Sequence, residues 1–423
     1  MRLQLGKVKI ENISFSKKTY IKNKTLYINR EELSNYLQED KNIQKVDLEL
    51  ARPGESVRII PIKDVVEPRV KIAGEGQLFP GYLGGVETIG EGITHILDGC
   101  GVMATGRKIR PSEGIVDMSG PAASYTTFSK LNNVVILITP VDKLDNNKYE
   151  QTLRTAGFRA AAYLGKAAAE IEPDEKEIFE YDPIAEAVLK YPDLPRIIYV
   201  CMLATYSTIY GLDVRGVLPT IVSPLEVIDG ILVGGLLSGA CHRDTTYHHS
   251  RNPVIFELLR RHGKDLCFLG VILTNQLHVL IGKERSSFFV SQIAKSVGAQ
   301  GAIITKDGAG NPDTDLMLNC RNLEKSGIKT VLITDEVCGR DGASLGLADA
   351  AHEANATIST GNVNELLALP PMERVIGFLE TVEGISGGFH GSLHEDGSLT
   401  VETGAILGSL CQLGFEKITT KVK

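Results

Sequence analysis

The chain has 423 residues, 43% of them hydrophobic and 23% charged. That is the balance of a globular protein of two or three domains, at roughly 100 to 200 residues each, and it excludes a mini-protein, a fibre or a disordered chain. The 45 basic residues against 52 acidic ones leave a formal charge of −7, a poor match to nucleic acid or to an anionic membrane surface.

The first residues form no apolar leader, and no stretch reaches the ~18 uninterrupted apolar residues that a membrane span needs. LQLGKVKI, TLYI, KVDLELA and SVRIIPI alternate or cluster β-formers between turn residues, so the opening reads as strands with one short helix over residues 30–39. Glycines crowd residues 74–120 in segments such as GYLGGVETIGEG, too apolar for a linker, and tight β-turns account for them better than a ligand cradle does. After Asn133 the texture changes. VVILIT is a buried strand, residues 154–170 an alanine-rich helix and RIIYVCML a second strand. The rhythm returns with LCFLGVIL, a helix over 288–297, GAIITK, a helix over 314–326, and KTVLITDE. The expected fold class is α/β, with a mainly parallel sheet core after about residue 133 and a β-rich, glycine-rich amino-terminal region. Three stretches follow: a β-rich domain over 1–140, a first α/β segment over 141–240 and a second over 241–423.

The most unusual segment is SGACHRDTTYHHSRNP, residues 238–253, which holds 3 of the 9 histidines. Cys241 is flanked by His242, Arg243 and Asp244, and cations beside a thiol favour the nucleophilic thiolate. Three readings compete. Cys241, His248 and His249 could ligate zinc, although adjacent histidines point apart in regular structure and no second cysteine lies close in sequence. The segment could be a structural loop. The reading adopted has no metal: Cys241 is reactive, His242 or His248 moves protons, and Arg243 or Arg251 binds an anion. The odd count of 7 cysteines, without a CxxC pair, points to reduced thiols in a cytoplasm.

Further along, KDGAGNPDTDLMLN and TDEVCGRDGAS each follow a predicted strand, where α/β proteins place ligand sites. Asp313 is a natural N-cap there, and Asp313 and Asp335 are expected to face one cleft and contact substrate. Arg52, Arg58 and Arg69, in ARPGESVRI and EPRVK, could grip a substrate carboxylate or a partner subunit, against the plainer reading of surface arginines on strands. GxGxxG and Walker patterns are absent, which removes the best support for nucleotide chemistry.

Taken together, ELARPGESVRI, EGIVDMSGP, GNPDTDL, KTVLITDE, GRDGAS and GGFHGSL resemble the proprotein subunit of component B of the glycine, sarcosine and betaine reductases, over nearly the whole chain. The resemblance implies an oxidoreductase of amino-acid fermentation. Its subunit binds a small amine for reductive C–N cleavage and cleaves itself at an internal cysteine to leave a pyruvoyl group. It also implies a selenocysteine-containing partner subunit within component B, the small selenoprotein of component A, and component C. On that reading Cys241 becomes the cofactor residue, with His242 and His248 as its catalytic neighbours. One departure stands out: where the family pattern has Asn-Cys, this chain has Leu236-Leu237, and neither leucine can perform the reaction. Either Cys241 or Ser238 has taken over, or this member stays intact as a noncatalytic binding or assembly subunit. A pyruvoyl carbonyl can condense with the nitrogen of glycine or sarcosine but not with betaine's quaternary nitrogen, so the group alone does not name the substrate.

Overall fold

The structure, a computed structural model, describes residues 1–109, 113–235, 244–415 and 419–420. It has mixed α/β architecture built on several sheets. Among the described residues no helix is long and apolar enough to cross a membrane.

The first sheet runs Gly114–Asp117, Val57–Val66, Cys100–Thr105, Asn132–Pro140, Ile43–Ala51. The short helix Arg30–Gln38 packs beside it. It starts where the Asn29 side chain accepts the Glu32 amide, and it buries Leu33 and Leu37, one turn apart, on a single face. Every residue of Val57–Val66 is buried, including Arg58, Lys63 and Asp64. A charge in such a strand needs a partner, because burying it alone costs far more than packing returns. Arg58 meets Asp117 in two parallel bonds of 2.8 Å, and Lys63 meets Glu113 and Glu150. The amino-terminal sheets recruit later chain: Glu175–Glu180 pairs antiparallel with Arg2–Lys9, and Arg374–Gly377 lies parallel to Val57–Val66. Boundaries near 140 and 240 therefore part stretches of sequence that share sheets.

The largest sheet has the order Thr220–Val222, Cys267–Asn275, Arg196–Leu203, Gly301–Thr305, Lys329–Glu336, Thr357–Asn362, Thr419–Thr420. Neighbours from Cys267–Asn275 through Thr357–Asn362 are parallel, and the two outer pairings are antiparallel. The central strands are continuous apolar runs because both their faces are covered. Ile198, Val200 and Met202 face Val290, Ala294, Leu316 and Leu323 from the helices Leu280–Ser296 and Asn311–Lys325. The alternate residues Tyr199, Cys201 and Leu203 face Ile255, Leu258 and Leu259 of the helix Pro253–Arg261.

Three helix starts differ from the sequence expectation, the first being that of the helix expected over 154–170, which runs over Asn146–Gly165. The helix expected from 288 begins at Leu280, and the one expected from 314 begins at Asn311 behind Gly310, whose φ of 80° suits glycine. Pro312 is tolerated in that first turn, where a missing N–H breaks no helical bond. Asp313 is therefore not the N-cap; it lies inside the helix and turns its carboxylate inward.

Candidate functional site

The carboxyl ends of the parallel strands, at Leu203, Asn275, Thr305 and Glu336, bring together the polar groups that the apolar runs exclude. Lys306, the first residue past its strand, is fully buried between two carboxylates. Its ammonium bonds Asp313 and lies 3.0 Å from Asp335. The second oxygen of Asp313 accepts the Ala348 amide at 2.7 Å. Burial pulls the Lys306 pKa down, but the two aspartates outweigh it and hold the group above its usual value. Asp313 and Asp335, expected on one cleft, thus meet at a single ammonium that the sequence reading did not single out.

Asp307 extends this polar cluster by accepting the Asp244 amide at 2.9 Å. The Asp244 carboxylate in turn accepts the Cys411 thiol at 3.0 Å, and the His248 ring nitrogen Nδ1 lies 3.9 Å from the same oxygen. Burial, then the Asp244 charge, pushes the Cys411 thiol far above its ordinary pKa. His248 sits on the helix Thr246–Ser250, where its Nδ1 accepts the Thr245 amide at 3.2 Å. Its ring lies between Phe128 and Phe415, with both centroids 4.8 Å away. His249 is buried beside it. The ligand atoms of Asp244, His248 and Cys411 lie within 4.8 Å of one another and could hold a metal ion. The hydrogen bonds just given already account for that arrangement, and it is a different set from the cysteine and two histidines weighed for zinc.

The chain enters and leaves residues 236–243 through a closed neck. On the entering side the Gly234 carbonyl accepts Arg154 Nη2 at 2.8 Å, and its amide donates to Thr246 Oγ1 at 3.2 Å. On the leaving side Thr246 donates its hydroxyl to Asp64 at 2.6 Å and its amide to the other Asp64 oxygen at 3.0 Å. The two sides touch: a Cβ added at Gly234 would lie 2.4 Å from the Asp244 carbonyl oxygen, and one at Gly235 would lie 2.6 Å from that of Thr205. Glycine is required for this approach. Ser238, Cys241, His242 and Arg243 lie outside the described residues.

The three amino-terminal arginines engage separate partners and form no common grip. Arg52 caps the Ile13 carbonyl and pairs with Glu55 at 2.8 Å. Arg58 is held by Asp117 and the Pro370 carbonyl. Arg69 bonds Glu67 and the Ile228 carbonyl, and Arg251 takes the second oxygen of Glu67 together with Asp98. The expectation that Arg52, Arg58 and Arg69 form one grip is corrected by these bonds, which spend Arg58 and Arg69 inside the fold and tie the partly exposed Arg52 to its own chain. Sequence reasoning passed over Asp64, Arg154, Lys306, Asp307 and Cys411. For Asp64 a signal existed, since KD inside IIPIKDVV places two charges in an otherwise apolar run.

Comparison with known proteins matches residues 1–421 to the family of glycine/sarcosine/betaine reductase component B subunits. The chain is 47% identical over 428 residues, covering all of both sequences, to the glycine reductase complex component B subunits alpha and beta of Acetoanaerobium sticklandii. It is 45% identical over 426 residues, again covering both in full, to the sarcosine reductase complex component B subunit alpha of Peptoclostridium acidaminophilum. A more distant relative, the D-proline reductase proprotein PrdA of Acetoanaerobium sticklandii, is 22% identical over 355 residues, 78% of this chain and 54% of that one. No solved structure is significantly similar to the chain. The chain belongs to the family of glycine/sarcosine/betaine reductase component B subunits.

Proposed function

We propose that this chain is the substrate-binding subunit of component B in an amino-acid reductase complex, made as a precursor and cleaved between Ala240 and Cys241. The carrying observation is the closed neck around residues 236–243 at the carboxyl ends of the parallel strands, set among Lys306, Asp307, Asp244 and His248. One full-length relative carries a name that covers two subunits, alpha and beta, and a distant relative matched over part of its length is called a proprotein; both suit a chain that becomes two pieces.

In the processing step the Cys241 sulfur attacks the Ala240 carbonyl carbon. The amide becomes a thioester and the Cys241 nitrogen is freed. Loss of the Cys241 Cα proton with breakage of its C–S bond releases the amino-terminal piece as a thiocarboxylate. Water then replaces the nitrogen, which leaves as ammonia, and a pyruvoyl group remains on the carboxyl-terminal piece. The crowded glycines at 234 and 235 fit a segment whose backbone must be approached closely. The pyruvoyl group supplies an electrophilic carbonyl for the substrate nitrogen. The chain's own part is to supply the fixed charges of Lys306 and its aspartates at the strand ends, with His248 as the proton carrier of the adjoining cluster. A selenocysteine-containing subunit, the component A selenoprotein and component C complete the cycle in the cytoplasm.

The test is turnover of glycine, sarcosine and betaine by the assembled complex carrying either the wild-type chain or Cys241→Ala. Loss of turnover in the variant supports the reading. Full activity of the variant would remove Cys241 from the mechanism and return the chain to an intact assembly subunit.

A further inference from the structure

Nine large apolar side chains stand more than half exposed among the described residues, and seven of them, all but Leu189 and Leu345, gather around the carboxyl end of Cys267–Asn275. The Asn275 side chain donates to the Val214 and Val217 carbonyls at 3.0 and 2.9 Å, which sets Leu218 beside that end. Four residues past Asn275, the exposed run Val279-Leu280-Ile281 opens the helix Leu280–Ser296, and Phe288 follows two turns on, along the same stripe as Ile281. That helix packs against the outer strand Thr220–Val222, which Leu218 precedes. Val86 and Leu212 close the group from the other side, as walls of a cavity of about 260 Å3 that Ile209 and Val217 also line.

Single apolar residues on a surface need no explanation, whereas seven around one strand end do. At more than half exposure they offer on the order of 400 Å2 of apolar area, the size at which a patch on a single chain marks an interaction site. The cavity is smaller than the ~300 Å3 at which small-molecule pockets begin, so it is sized to one side chain rather than to a cofactor. Two of its polar side chains are already engaged: Tyr210 donates its hydroxyl to Glu226, whose other oxygen accepts the Ser223 amide at 2.8 Å. Its wall is also fixed in advance. Tyr210 and Gly211 turn a hairpin at positive φ, and a Cβ on Gly211 would lie 2.8 Å from the Gly81 Cα, so the hairpin is seated on the chain beneath it.

Resting on the reading of this chain as one subunit of a component B complex, we infer that this surface seats a second, different polypeptide of that complex. The partner inserts one aromatic or large aliphatic side chain into the cavity and covers Leu218, Ile281 and Phe288 with an apolar face. Asn275 is one of the strand ends at which the candidate site lies, so a polypeptide docked here stands at the rim of that site. A second copy of this chain would bring to it only groups already present. The patch is about half of the ~800 Å2 that each side of a standard interface buries, so polar surface around it takes part as well. Val86, Leu212 and Leu218 precede residue 240 and Val279 to Phe288 follow it, so the surface is present whether or not the chain is cleaved.

The experiment co-expresses the full chain with the other subunits of its complex, purifies through a tag on this chain, and identifies and quantifies each retained subunit by mass spectrometry. The variants are Leu212→Asp, Ile281→Asp and, as a control outside the patch, Leu345→Asp. All three positions are exposed, and an acid at 281, in the first turn of its helix, suits the helix dipole, so each variant is expected to melt like wild type. Leu212→Asp and Ile281→Asp are expected to retain about tenfold less of the partner subunit or lower still, and Leu345→Asp as much as wild type. Should a patch variant fail to fold, amide exchange in the wild type decides: slower exchange over 212–218 and 279–288 in the complex than in the free chain upholds the surface, and unchanged exchange overturns it. Full retention by both patch variants would overturn it too. A free wild-type chain that dimerises, and that Ile281→Asp makes monomeric, would assign the surface to a second copy and overturn the proposed occupant. A wild-type chain that retains no other subunit would overturn the reading as a complex subunit, and this inference with it.

Discussion

Lys306 and Asp335 stand 3.0 Å apart with both side chains fully shielded from water, and Asp313 closes the other side of the same ammonium. The two acids arrive from different elements, one from the strand Lys329–Glu336 and one from the first turn of Asn311–Lys325. This charged joint fixes the carboxyl end of the sheet where the candidate site lies. Lys306→Met removes the ammonium that Asp313 and Asp335 share and is expected to cost about 3 to 5 kcal/mol in denaturant unfolding. The folded pKa of Lys306 lies above that of the unfolded chain, about 10.4, so the stabilisation is complete below that pH. It is lost as the pH rises through the folded value. A variant no less stable than wild type would mean that the joint contributes nothing.

The buried thiols should be inert in the folded chain. Burial pushes Cys100 and Cys201 up to about 12, and burial together with the Asp244 charge holds Cys411 well above its ordinary value. Iodoacetamide at mildly alkaline pH, followed by peptide mapping, should leave these three unlabelled, while Cys338, half-buried at the end of its strand, is modified. The folded thiol values exceed the unfolded one, about 8.5. Their contribution to stability is therefore present below that pH and lost as the pH climbs through the folded values. Rapid native labelling of Cys411 would contradict this.

Arg58 and Arg52 should separate cleanly. Arg58→Ala leaves Asp117 buried and unpaired and should destabilise by about 3 to 5 kcal/mol. The partly exposed pair of Arg52 and Glu55 is worth about 1 kcal/mol or less. If Arg58→Ala melted like wild type yet raised the substrate KM, Arg58 would belong to the substrate site after all.

These contrasts also mark what the sequence could reveal. Buried strands were legible because a run such as RIIYVCML has few alternatives to a strand covered on both faces. The start at Asn311 was not, since Gly, Asn, Pro and Asp in series read equally as a turn or as a helix opening, and Asp313 in that series has the character of a cap. The loops carrying Asp313 and Asp335 were legible from their place after strands. The cation between them was not singled out, although Lys306 stands in the same loop. Pairings over long separations leave no local trace: Arg58 finds Asp117 across 59 residues, and Asp64 finds Thr246 across 182. An arginine on a strand looks the same whether it grips a ligand or an aspartate of its own chain.

Cleavage at 240/241 should not release the pieces. The strand Arg196–Leu203, before that bond, pairs with Cys267–Asn275 and Gly301–Thr305, after it, in the middle of the largest sheet. Arg251 bonds Glu67 at 2.6 Å and Asp98 at 2.7 Å from across the same division. Cleaved protein is expected to elute as one species in gel filtration and to separate only in denaturant. Two native peaks would contradict the interleaved sheets.

Processing at Cys241 is read out by mass spectrometry of the protein made together with its complex. Cleavage divides the 423 residues into pieces of 240 and 183. Both pieces are expected, with the shorter one beginning at position 241 in a pyruvoyl group that reacts with a carbonyl reagent. An intact chain in a fully active complex would contradict it.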